Sequence, residues 1–76
     1  MVKKHQADNP LYRALVKKYE SDIASASATL MIYFDSPVGI GEHPQHLEEM
    51  DKLVSQIAGA EDNLQALHKH FNNTQI

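Results

Sequence analysis

The sequence predicts an all-α protein made of two helical halves joined by the loop from Pro37 to Pro44. Three observations predict it. Apolar residues recur every three or four positions on both sides of that loop. Helix breakers concentrate within it, with Gly39 and Gly41 lying between two prolines. Both halves open on a residue followed by proline, Asn9-Pro10 and His43-Pro44, and proline is well tolerated at the first helical position.

Residues 1–8 are polar, basic and without periodicity, and read as a mobile tail. A single helical domain is expected over 9–72, with a frayed end at 73–76. Asn9 is suited to cap the free N–H groups of the first helix. Leu11, Leu15, Tyr19, Ile23, Ala26, Leu30 and Phe34 then form an amphipathic stripe, widened by Tyr12, Val16 and Tyr33. The small residues Ala24 to Thr29 suit a close helix–helix approach. The pattern stops at Asp35-Ser36-Pro37. Within the loop, Val38 and Ile40 are apolar plugs expected to tuck under the adjoining helix ends.

In the second half, Glu48, Glu49 and Asp51 crowd the early turns, where carboxylates complement the helix dipole. Met50, Ile57, Leu64 and Phe71 recur every seven residues, Leu53, Ala60 and Leu67 follow three behind, and Leu47 and Val54 broaden the face. His68-Lys69-His70 suits a helix C-terminus.

Each half divides in two if helices break where their end signals suggest. Lys17-Lys18 followed by Glu20-Ser21-Asp22 resembles a basic helix end followed by an acidic start. Gly59 before Glu61-Asp62 resembles a C-terminal glycine and a new start. The preferred expectation is therefore a small monomeric four-helix bundle. The alternative is a long two-helix hairpin, which has little interior of its own and pairs with a second copy.

Seventy-six residues form one domain whose core supplies only about 3–5 kcal/mol without staples. Disulfides and thiolate metal sites are excluded by the absence of cysteine. With no apolar run long enough to span a bilayer and no secretory pattern at the start, a cytoplasmic location is expected. The net charge of −3 argues against a generic nucleic-acid binder, but the charge is segregated. Residues 1–18 carry +4, residues 19–62 carry −8, and residues 63–76 carry +1.

No catalytic constellation is present. Glu48, Glu49 and Asp51 sit where helix electrostatics alone would put them, and no nucleophile elbow or cysteine accompanies them. Gly39-Ile40-Gly41 lacks the third glycine and the lysine of a phosphate loop, and it follows a helix rather than a strand. His43, His46 and Glu42, or His68 and His70, do not form a metal constellation: the last two diverge by about 200° at 3.6 residues per turn. No enzyme activity, metal or cofactor is expected. The aromatic residues Tyr12, Tyr19, Tyr33, Phe34 and Phe71 read as core by their spacing, with Tyr12 the exception beside Arg13.

The basic segment is the feature that stands out. An antiparallel return of the second half brings Lys69 back near the first helix. Lys3, Lys4, Arg13, Lys17, Lys18 and Lys69 then gather at one pole, able to meet phosphates or an acidic partner.

The block Ile32-Tyr33-Phe34-Asp35-Ser36-Pro37-Val38-Gly39-Ile40-Gly41-Glu42-His43-Pro44, with Leu47-Glu48-Glu49-Met50-Asp51 and Ala60-Glu61-Asp62, resembles a family of small proteins of T-even-like bacteriophages and their cyanophage relatives. The resemblance spans about Asn9 to Phe71 and centres on a PVGIGEHP loop. The family member implied is encoded immediately downstream of the UvsW helicase gene. The resemblance implies a context of phage DNA replication, recombination and repair inside an infected host cell, beside a helicase, and brings no catalytic motif. The resulting expectation is a non-catalytic accessory module that binds nucleic acid weakly through the basic pole, branched or single-stranded DNA included. The alternative is a protein-interaction module, without nucleic-acid binding, whose partner is that helicase, a recombination protein or a second copy.

Overall fold

A computed structural model describes residues 6–35 and 46–72. They form two α-helices, α1 (Pro10–Asp35) and α2 (His46–Phe71), each of 26 residues. At 1.5 Å per residue each runs about 39 Å. The helices are antiparallel neighbours. Tyr33 near the end of α1 lies edge-on to His46 at the start of α2, ring centroids 5.8 Å apart. At the other end the Gln6 amide donates to the Phe71 carbonyl at 2.6 Å.

The start of α1 is built as its sequence requires. Asn9 Oδ1 accepts the Leu11 amide at 2.8 Å, and the Asn9 carbonyl accepts the Arg13 amide at 3.0 Å. Pro10 stands at the first helical position, where its missing N–H leaves no bond unmade. In α2, Glu48 and Glu49 occupy the first turn and His68, Lys69 and His70 the last, in the sense that suits the helix dipole. The expectations for Val38, Gly39, Ile40, Gly41, Glu42 and the His43-Pro44 start lie outside the described residues.

The four-helix bundle is corrected to a two-helix hairpin. Neither expected break occurs. Lys18 Nζ reaches Asp22 Oδ2 at 3.1 Å, an i, i+4 ion pair that spans the first proposed break from within a continuous helix. A basic residue followed four positions later by an acid is thus helix support here, not a boundary. At Gly59 a side chain would meet nothing within 4 Å, so no packing need put glycine there. The helix tolerates it at about 1 kcal/mol because Ile57 and Ala60 keep their places on the inner face.

The seam between the helices follows a seven-residue repeat. From α1 it takes Tyr12, Tyr19, Ala26 and Tyr33 together with Val16, Ile23 and Leu30. From α2 it takes Met50, Ile57 and Leu64 together with Leu53, Ala60 and Leu67. The α1 stripe is therefore rotated from the expected one. Tyr12, Val16 and Tyr33 lie in the seam, whereas Leu11, Leu15 and Phe34 are exposed. Phe71, the last member of the α2 heptad, is exposed as well. The physical reason is that the apolar arc of each helix is wider than one neighbouring helix can cover.

Among the described residues only Ala26 and Ala60 are buried, at 1% and 3% exposure. Every larger apolar side chain of the seam remains partly open. Of the small run in α1 only Ala26 reaches full burial. Ser25 and Thr29 instead turn their hydroxyls onto their own helix, donating to the carbonyls of Asp22 and Ser25 at 3.4 and 2.9 Å. The radius of gyration is 16.7 Å, against about 11 Å for a compact chain of this length. No described helix is long and apolar enough to cross a membrane.

Candidate interaction surface

A hairpin has two flanks, and on this one they differ. Along α1, Arg13, Glu20, Ser27 and Phe34 recur every seven residues; along α2, Leu47, Val54, Glu61 and His68 do the same. A seven-residue row stays on one side of a helix. Because the helices are antiparallel, the rows start and end together: Phe34 lies with Leu47 near the loop end, and Arg13 lies with His68 near the termini.

Each end of this flank holds an open groove over the seam. The loop-end groove, about 600 Å³, is floored by Leu30, Phe34, Leu47, Met50 and Val54 and rimmed by the carboxylates of Glu48 and Asp51. Phe34 is 62% exposed and Leu47 78%. The terminal-end groove, about 530 Å³, is floored by Tyr12, Val16 and Leu64 and rimmed by Arg13, Lys17 and His68. Arg13 and Lys17 make no ion pair among the described residues, so both charges face solvent. The flank thus carries apolar ground at its two ends, with an acidic rim at one and a basic rim at the other, and Glu20, Ser27 and Glu61 on its rows between them.

The opposite flank is apolar at the terminal end, where Leu11, Leu15, Leu67 and Phe71 lie beside Gln6 and Asn9, and Ile32, on the seven-residue row of Leu11, is exposed near the end of α1. Farther along, Gln56 Nε2 donates to the Asp22 carbonyl at 3.2 Å.

The expected basic pole is assembled in part. Arg13 and Lys17 come together with His68 across the two helices. Lys18 turns the other way, to Asp22, with its ammonium 5.9 Å from the Tyr19 ring centre. Lys69 lies beside Asp62, Gln65 and His70 on the neighbouring side of α2, sharing only Gln65 with the Arg13 groove. Lys3 and Lys4 lie outside the described residues, as do His5 and His43 among the histidines. His68 Nδ1 is 3.3 Å from the Asn72 side-chain amide, and His70 stands edge-on to Phe71. Among the described residues no group of three or more His, Asp or Glu is placed to share a metal ion. Glu49 pairs with Lys52 at 3.6 Å, an exposed helix-surface contact.

Sequence reasoning placed Phe34 and Leu47 in the core and missed them as surface. The two seven-residue rows carried the signal: both change from charged to apolar along their length, and in opposite chain directions. No family model, no curated protein and no solved structure matches this chain.

Proposed function

We propose that the chain is a non-catalytic association module that docks a partner helix pair along the flank bearing Phe34, Leu47 and Val54. The observation that carries this reading is the incomplete core: no described side chain larger than alanine is buried, while Phe34, Leu47 and Val54 stay open in one line. Apolar surface gains roughly 25 cal/mol per Å² when it leaves water, so a flank of this kind is stabilised by being covered. The partner that fits is an amphipathic helix pair with an apolar stripe, basic where it meets Glu48 and Asp51 and acidic where it meets Arg13 and Lys17. Co-purification of a helical partner at high salt, abolished by Phe34→Lys with Leu47→Lys while circular dichroism is unchanged, is the expected result. A partner retained equally by that variant overturns the reading.

A second reading, weak nucleic-acid binding, is favoured by Arg13 and Lys17, whose charges are uncompensated and lie beside His68 and the Tyr12 ring. Lys69 adjoins this cluster, and Lys3, Lys4 and Lys18 complete the candidate set. It is tested by binding to single-stranded, duplex and forked DNA at two salt concentrations, since contacts to phosphate weaken as salt rises.

A further inference from the structure

We infer that the terminal-end groove binds an unpaired nucleotide of a single nucleic-acid strand, its base on the Tyr12, Val16 and Leu64 floor and its phosphates on Arg13 and Lys17. This rests on the nucleic-acid reading above and names its substrate. The association reading, carried by Phe34, Leu47 and Val54 at the loop end, stands apart from it.

Three observations converge on this groove. The first is charge. Arg13 and Lys17 stand one turn apart on α1, their Cβ atoms about 5–6 Å from each other, and neither makes an ion pair among the described residues. Two such cations can hold neighbouring phosphates. The second is the floor beside them. A cation pair alone would meet any phosphate backbone, but here it borders an aromatic ring and two aliphatic side chains in a groove of about 530 Å³. A base laid on such ground is stabilised by stacking, whatever its sequence. The bases of a duplex are already stacked on one another and do not reach it.

The third is an acceptor with no donor. Asn72 lines the groove, and its Oδ1 is buried without a hydrogen-bond partner among the described residues. Its Nδ2 lies 3.3 Å from His68 Nδ1. A buried acceptor left unmet costs free energy, and a ligand that relieves it must bring a donor. Ionised phosphates and carboxylates bring none. An acidic helix also spends its backbone N–H groups on its own ladder beyond the first turn. A nucleobase carries N–H donors on its edge. The acceptor therefore favours a nucleotide over an acidic helix in this groove.

The surroundings bound the site. Glu20 lies one turn past Lys17 on α1 and Glu61 one turn before Leu64 on α2, both exposed, and Glu48 and Asp51 follow at the loop end. Phosphates are repelled from that part of the flank. The strand therefore crosses the hairpin at its terminal end, toward Lys69, whose surroundings share Gln65 with this groove.

Fluorescence anisotropy of a labelled thymine oligonucleotide on the full chain tests this, against the same strand annealed to its complement and an abasic strand of equal length. The single strand is expected to bind more tightly than the duplex. It is expected to bind at least about fivefold more tightly than the abasic strand, which keeps the phosphates and lacks the bases. Two or three phosphate contacts weaken binding about tenfold between roughly 50 and 200 mM salt. Arg13→Gln with Lys17→Gln, at unchanged helix content by circular dichroism, is expected to remove most of that salt dependence. Asn72→Ala is expected to weaken the single strand and leave the abasic strand unchanged. No binding of any strand at low salt overturns this inference and the nucleic-acid reading together. A duplex or an abasic strand bound as tightly as the single strand overturns the base in the groove and leaves the nucleic-acid reading standing. A single-strand preference untouched by the Arg13 and Lys17 substitutions overturns this groove as its place.

Discussion

Gln56 on α2 donates its side-chain amide to the backbone carbonyl of Asp22 on α1, 3.2 Å away, and so ties the middles of the two helices together on the flank away from the grooves. The Asp22 carbonyl also receives the Ser25 hydroxyl of its own helix at 3.4 Å, so Gln56 shares this acceptor with a donor from α1. The contact fixes the slide of one helix along the other. With Tyr33 beside His46, this register sets Ala26 across from Leu53 and Ala60 across from Tyr19, a small residue against a large one at both close points.

Removing that tie is expected to lower stability slightly without changing the fold. Gln56 is exposed, so Gln56→Ala leaves no buried group unsatisfied and is expected to cost about 0.5–1.5 kcal/mol, the usual net value of one hydrogen bond. Thermal melting followed by circular dichroism measures it.

The two buried alanines are the tight points. Ala26→Leu or Ala60→Leu forces extra volume between the helices and is expected to destabilise by about 1–3 kcal/mol. Ala58→Leu, at an exposed position two residues from Ala60, is expected to change melting little.

Gly59 is expected to behave in the opposite sense. It lies inside α2 with open space where a side chain would go. Gly59→Ala is therefore expected to stabilise by about 0.5–1 kcal/mol, through the entropy of the unfolded chain and the better helix propensity of alanine. A loss of stability would show that α2 breaks at this residue.

Local chemistry was legible in the sequence, and the relation between helices was not. The cap at Asn9, Pro10 in first place and the acidic first turn of α2 each depend on a few neighbouring residues, and each is found as expected. Continuity at Lys18 and Gly59 was not legible. A base followed by an acid reads alike as a helix end or as an i, i+4 pair, and a lone glycine reads alike as a stop or as a tolerated interior residue. The direction each helix faces was not legible either. Leu11, Leu15 and Phe34 and their neighbours Tyr12, Val16 and Tyr33 make adjoining rows of one broad apolar arc, and only the position of α2 decides which row is covered. Of the candidate basic residues, Lys17 and Lys18 read as one helix end, whereas Lys17 in fact shares its side of α1 with Arg13, one turn earlier. That Lys18 belongs to Asp22 follows from which way its side chain leaves the helix.

The most direct measurement is retention of a helical partner at high salt by the natural chain and by the chain carrying Phe34→Lys with Leu47→Lys, with circular dichroism followed on both. The account predicts a partner held by the natural chain and lost by the variant at unchanged helix content, because Phe34 and Leu47 are the open apolar ground of the flank. A partner held equally by the variant would contradict it.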